Sequence, residues 1–145
     1  MDGSFVKDIM KKPVLSIDSS MTVKDAAKMM EDAKVGSIVV TENNTITGIL
    51  TERDFVRKIV AQGKPFSTKI KEVMSSPLIV INPDETVWEL AQLMKTRRIH
   101  RVPVVDKERL VGIASTADLT RLCSLGSDSE MSKLCDQILL RMKPT

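Results

Sequence analysis

Gly48-Ile49-Leu50-Thr51-Glu52-Arg53-Asp54 and Gly112-Ile113-Ala114-Ser115-Thr116-Ala117-Asp118 are one pattern written twice. Each copy runs glycine, two apolar or small residues, a hydroxyl, two variable residues and an aspartate. The copies stand 64 residues apart, and the same shift lays residues 6–57 over 70–121 without a gap. Identical pairs include Met10/Met74, Pro13/Pro77, Ile17/Ile81, Val23/Val87, Ala27/Ala91, Met30/Met94, Val40/Val104 and Arg57/Arg121. Two copies are too few for a solenoid. The expected outcome is two similar units related by a pseudo-two-fold axis.

Working outward, each copy reads as β-α-β-β-α. A short extended run comes first, at residues 14–17 and 78–81. A helix follows. Val23, Ala26, Ala27 and Met30 recur at i, i+3, i+4 and i+7, as do Val87, Leu90, Ala91 and Met94. Thr86-x-x-Glu89 has the form of a capping box, and Thr22-x-x-Asp25 is a weaker version of it. Two short strands are expected at 37–41 with 45–50, and at 101–105 with 110–114. Polar turns containing Asn43-Asn44 and Lys107-Glu108 join them. A second helix closes each copy, near 52–61 and 116–122. The fold class is therefore mixed α/β (α+β). Its expected segments are a first motif at 1–62, a Gly- and Pro-containing linker at 63–69, a second motif at 70–124 and a C-terminal amphipathic helix within 125–145. Met131, Leu134, Cys135, Ile138, Leu139 and Met142 form one stripe on that last helix. The stripe must be buried on its own body or on a partner.

Composition narrows the function. The chain has 145 residues, 42% apolar and 28% charged, with a net charge of +3. No run approaches the ~20 apolar residues of a membrane span, and the N-terminus lacks a signal-peptide pattern, so a cytoplasmic protein is expected. Cys123 and Cys135 form no C-x-x-C pair, and His100 is the only histidine. No metal site is expected from them; free packing thiols are. There is no tyrosine and one tryptophan, which leaves few platforms for stacking bases. A nucleic-acid-binding regulator using the Arg97 to Arg101 cluster is the third-ranked reading. An enzyme needs a nucleophile, a poised base or a metal cluster, and the sequence supplies none.

The paired Gly-to-Asp motifs resemble those of the cystathionine β-synthase-type (CBS) domain family. So do the segment from Arg98 through His100-Arg101-Val102-Pro103-Val104-Val105-Asp106 and the entries Ile9-Met10-Lys11-Lys12-Pro13-Val14 and Val73-Met74-Ser75-Ser76-Pro77-Leu78. The resemblance covers roughly residues 5 to 122. It implies a tandem pair forming a disc-like module that binds an adenosine-containing ligand such as AMP, ADP, ATP or S-adenosylmethionine. By the same resemblance, Asp54 and Asp118 would accept the ribose hydroxyls, and Thr51 and Ser115 would face a phosphate or its equivalent. His100 and Arg101 would reach phosphates in the cleft. It further implies a regulatory role without catalysis and a homodimer. A separate effector protein would dock through the C-terminal helix.

The residues themselves support that mapping. A helix that starts at Thr51 or Ser115 presents free N–H groups and a positive dipole end to an anion. A carboxylate three residues on lies in the same turn, and Arg53 adds a cation. The same spacing also describes a plain helix cap, and both roles can coexist. The copies are unequal: Gly36-Ser37 occupies the place of His100-Arg101. The Asp54 site, with Arg53 and with His100 and Arg101 reaching across, is expected to prefer phosphorylated ligands. The remaining alternative is a protein-interaction module that binds no nucleotide.

Overall fold

The computed structural model describes residues 5–76, 78–125, 133 and 136. Its elements are α1 (Val6–Ile9), which the sequence reading did not expect, β1 (Ser16–Asp18), α2 (Val23–Ala33), β2 (Ser37–Glu42), β3 (Thr45–Thr51), α3 (Glu52–Asp54), α4 (Val87–Arg97), β4 (Arg101–Asp106), β5 (Arg109–Ser115) and α5 (Thr116–Leu125). The mixed α and β architecture is as read from the sequence. The expected C-terminal amphipathic helix lies outside the described residues, apart from Lys133 and Asp136, which are helical and exposed.

The chain divides into two compact units. One is Val14–Ile79; the other combines Met1–Pro13 with Val80–Thr145. They are called here the first and second unit. In the first, β1 pairs parallel with β2, and β2 pairs antiparallel with β3. Ile17, Val23, Ala26, Met30, Ile38, Val40, Leu50, Ile59, Ile70 and Val73 form its core. The second unit builds its core from Val6, Ile81, Val87, Leu90, Ala91, Met94, Val102, Val104, Ala114 and Leu119. Its hairpin β4–β5 repeats the register of β2–β3, including an irregularity at Val104/Val105 that matches the one at Val40/Thr41.

The lead-in of each repeat belongs to the other repeat's unit. In the second unit, Val6 N–H donates to Glu85 O (2.8 Å), Lys7 N–H to Pro83 O (3.0 Å) and Lys11 N–H to Ile113 O (2.8 Å). In the first, Ile70 N–H donates to Met21 O (2.9 Å), Lys71 N–H to Ser19 O (3.1 Å) and Ser75 N–H to Ile49 O (3.0 Å). These are the same bonds under the 64-residue shift. Gly48 and Gly112 make the last of them possible. A Cβ on Gly48 would meet Ser75 O at 2.8 Å and Met74 Sδ at 2.9 Å. One on Gly112 would meet Met10 Sδ at 2.5 Å and Lys11 O at 3.2 Å.

Four local readings are corrected. Residues 78–81 do not form a strand; Ile81 makes one parallel bridge to Val104, with Ile81 N–H on Pro103 O (3.1 Å) and Val105 N–H on Ile81 O (2.9 Å). The helix at 52–61 is α only over α3 and continues as a π-helix over Phe55–Val60, whereas α5 stays α-helical throughout. The two caps reverse in strength. Thr22 and Asp25 form the reciprocal box, with Thr22 N–H on Asp25 Oδ2 (3.0 Å) and Asp25 N–H on Thr22 Oγ1 (3.2 Å). Those bonds to Thr22 hold the Asp25 carboxyl below its ordinary pKa. Thr86 caps Glu89 N–H (3.1 Å) without a return bond from the Glu89 side chain to its own backbone N–H. Cys123 packs partly buried against the second core and is disulfide-bonded rather than free; Cys135 lies outside the described residues.

Two predictions follow from the backbone. The obstacle at Gly48 is a carbonyl oxygen fixed by the Ile49–Ser75 bridge, whereas the nearest atoms at Gly112 belong to the flexible Met10 side chain. Gly48→Ala should therefore destabilise by about 2–3 kcal/mol and Gly112→Ala by about 1 kcal/mol, read as urea midpoints. The hairpin residues Lys107 and Glu108 both have positive φ (49° and 67°), where the matched turn has Asn43 and Asn44. Bulky residues are disfavoured in that left-handed region. Replacing the pair by Asn-Gly should stabilise by about 1 kcal/mol and raise the melting midpoint.

Candidate functional site

Each motif aspartate is the N3 residue of a helix that begins where an antiparallel hairpin ends. At the end of β3, Thr51 is extended (φ −124°, ψ 165°), which leaves its hydroxyl above the first turn. Asp54 Oδ2 accepts from Thr51 N–H (2.8 Å) and Thr51 Oγ1 (3.2 Å), and Asp54 N–H donates to Thr51 Oγ1 (3.4 Å). In the second unit, Asp118 Oδ2 accepts from Ser115 N–H (2.8 Å) and Ser115 Oγ (2.9 Å), and Asp118 N–H donates to Ser115 Oγ (3.2 Å). Both are reciprocal caps, so the cap reading of the sequence holds in each unit.

The cap uses one carboxylate oxygen and leaves the other to a cation. Asp54 Oδ1 lies 3.2 Å from Lys58 Nζ, and Asp118 Oδ1 is ion-paired with Arg121 Nη2. Both aspartates are buried, at 7% and 1% exposure, while the Lys58 and Arg121 side chains are 42% and 50% exposed. A buried carboxylate without a partner is strongly disfavoured, so the cations cover what the cap leaves open. Lys58 and Arg121 were missed in the sequence reading. The signal was present: they stand at i+4 and i+3 from the aspartates, the spacings at which helix side chains meet.

The other expected site residues follow the hairpins. In the second unit, α4 ends in a left-handed Arg98 (φ 55°), and Ile99 N–H closes the helix on Met94 O (3.1 Å). The turn delivers His100 to the start of α5, where its carbonyl accepts Thr116 N–H (2.9 Å). Arg101 pairs directly with Ser115 across β4–β5. His100, Arg101, Ser115 and Asp118 are thus brought together in one unit. In the first unit the same construction places Lys34 (φ 57°), Gly36 and Ser37. Gly36 O accepts Glu52 N–H (3.1 Å) and Ser37 pairs with Thr51. Thr51, Asp54 and the exposed Arg53 lie there, without a counterpart of His100 or Arg101.

A groove of about 410 Å³ opens on the first unit between α2 and the start of α3, lined by Ala27, Met30, Glu31, Lys34, Val35, Gly36, Glu52 and Phe55. None of the expected site residues lines it. Among the described residues, no cluster of three or more His, Cys, Asp or Glu could hold a metal ion. No helix among them is long and apolar enough to cross a membrane.

The profile of the CBS domain matches this chain twice, over residues 6–61 and 70–124. The chain belongs to the CBS domain family. Among its relatives, the CBS domain-containing protein YhcV of Bacillus subtilis (strain 168) is 39% identical over 116 residues, covering 80% of this chain and 83% of that protein. The crystal structure of the CBS domain pair of protein MJ0100, in complex with 5-methylthioadenosine and S-adenosyl-L-methionine, is 32% identical. It superposes with a TM-score of 0.77 over 83% of this chain and 96% of that one. A hexameric CBS-CP12 protein from bloom-forming cyanobacteria is 25% identical, with a TM-score of 0.74 over 94% of this chain and 93% of its own.

The cap predicts a ligand-free effect. Thr51→Ala and Ser115→Ala should each cost about 1 kcal/mol of stability in buffer alone. Thermal unfolding without added nucleotide checks this, and unchanged midpoints in both variants would remove the caps from the account.

Proposed function

We propose that this CBS pair is a regulatory module that binds an adenosine-containing ligand, such as AMP, ADP, ATP or S-adenosylmethionine, and signals by a change of conformation or assembly. The observation that carries the reading is the pair of buried motif carboxylates. Each is oriented by a hydroxyl cap through one oxygen, and among the described residues each second oxygen is paired with a half-exposed cation. A carboxylate accepts at about four lone-pair sites. The oxygen outside the cap has the capacity to take vicinal ribose hydroxyls once Lys58 or Arg121 swings aside, and charge-assisted bonds of that kind are strong. The ligands named for the MJ0100 pair share an adenosine, which supports the class.

In this reading Thr51 and Ser115 sit beside the ligand's phosphate or its equivalent, at helix starts whose dipoles favour an anion. Arg53 supplies charge in the first unit, and His100 and Arg101 supply it in the second. The sites are unequal in two respects: these cations differ, and Asp118 is more deeply covered than Asp54. The module acts in the cytoplasm as a homodimer and passes its signal to a separate effector protein through the C-terminal segment. No catalytic step is assigned, because ribose acceptance already accounts for the two aspartates. A ligand alters the module only through differential affinity for two states.

The test is thermal unfolding with AMP, ADP, ATP, NAD, S-adenosylmethionine and guanosine nucleotides. Ligand at 100 times its dissociation constant stabilises by about 2.7 kcal/mol, which for a chain of this size is a rise of roughly 6–11 °C. At least one adenosine ligand should give that shift, and Asp54→Ala should lose it. Light scattering beside the melts reports the assembly, with a dimer expected. A panel without any shift would leave the fold intact and end the sensor reading.

A further inference from the structure

Lys58 does more than neutralise Asp54. Its ammonium is within 3.2 Å of three oxygens: Asp54 Oδ1, Val73 O and Ser75 Oγ. An ammonium has three N–H donors, so each has an acceptor. The first oxygen belongs to the motif helix of repeat one, and the other two belong to the lead-in of repeat two. Ser75 is also the residue whose backbone bridges to Ile49, with N–H to O distances of 3.0 and 3.2 Å in the two directions. That bridge closes over Gly48. One side chain therefore joins the ligand-facing carboxylate to the segment that enters the second repeat.

The matched position in the other unit carries no ammonium to make this link. Under the 64-residue shift, Lys58 becomes Leu122. Asp118 is instead served by Arg121, at the position matched to Arg57. The bridge matched to Ile49–Ser75 is Lys11–Ile113, with distances of 2.8 and 3.0 Å. It stands without any cation in Lys58's place.

We propose that Lys58 is a coupling residue, which makes the state of the Asp54 carboxylate felt by the lead-in at residues 73–75. The tie needs both ends. Asp54 anchors the ammonium, and the ammonium holds Val73 O and Ser75 Oγ. A ligand hydroxyl that takes Asp54 Oδ1 displaces the ammonium from its anchor, so the tie slackens and the Ile49–Ser75 bridge opens more often. Lys58 is a positioning residue in this scheme, and the first unit reports occupancy through it. The inference rests on the proposed ligand reading for its trigger, but the tie itself exists without ligand.

The experiment is residue-resolved amide hydrogen exchange on the full chain, following Ile49 and Ser75, with Lys11 and Ile113 as internal controls. Without ligand, Lys58→Met should speed exchange at Ile49 and Ser75 about three- to tenfold, the factor one lost hydrogen bond gives. Asp54→Asn should do the same, and the double variant should be no faster than either single one. Ser75→Ala is the milder second variant and should show a smaller increase at Ile49. The controls should not move. Calorimetry with AMP and with S-adenosylmethionine runs beside this. If either binds, it should speed exchange at Ile49 and Ser75 in the wild type and change nothing further in Lys58→Met. Binding without that response overturns the coupling and leaves the ligand reading standing. If neither ligand binds, the ligand-free variants alone decide the tie, and the ligand reading is decided by the full thermal panel. Additive effects of Asp54→Asn and Lys58→Met, or none, would overturn it.

Discussion

Two glycines govern how this chain is assembled. The lead-in of each repeat must lie flat against the last strand of the other, close enough for reciprocal backbone bonds, and no Cβ fits between them at Gly48 or Gly112. Backbone groups taken out of water have to find partners. For the lead-ins, those partners are Ile49 and Ile113, each one residue beyond the glycine. Val6 and Ile70 then complete cores that their own repeats do not own. Neither repeat can close its unit alone, and this ties the two halves of the sequence into one folding problem. The motif helices begin four residues after these glycines, and their capping hydroxyls stand three residues after. The close approach at the glycine and the orientation of the aspartate therefore share one short stretch of strand.

That shared stretch explains why cap and binding chemistry coincide in the same residues. A hydroxyl at the strand end and a carboxylate at N3 satisfy orphan N–H groups of the helix start. They also fix the carboxylate in one rotamer with one oxygen directed away from the cap. A site built to take hydroxyls gains from such rigidity, because less freedom is lost on binding. The covering cation has an electrostatic reason: a 1% exposed carboxylate at Asp118 needs one.

Much of this was legible in the chain. The repeat shift fixed the element order, the helix stripes and the hairpin turns, because each depends on side-chain period and on local turn chemistry. Other features are non-local and were not. Nothing in residues 78–81 says that the strand shrinks to a single bridge, since their neighbours decide it. The π-helical stretch at Phe55–Val60 has the apolar spacing of an ordinary helix. The ion pairs of Asp54 and Asp118 were readable at i+4 and i+3, but the identical pair Arg57/Arg121 conceals their asymmetry: the second copy uses the arginine, and the first uses the lysine beside it.

Where the copies diverge is therefore informative, and two kinds of divergence separate cleanly. Some differences cancel. Ala26 on α2 and Leu50 on β3 answer to Leu90 on α4 and Ala114 on β5, so the large residue sits on the strand in one core and on the helix in the other. Total volume is conserved, as packing requires. Other differences do not cancel. Gly36-Ser37 against His100-Arg101, and Lys58 against Leu122, change charge and hydrogen bonding with no return in the opposite copy. The hairpin register and the capped helix starts recur in both units without them, so those elements do not require them. Differences that the fold tolerates and does not compensate are where two equivalent scaffolds have room to take on unequal tasks. All of these lie within a few residues of a motif aspartate in sequence or in strand register.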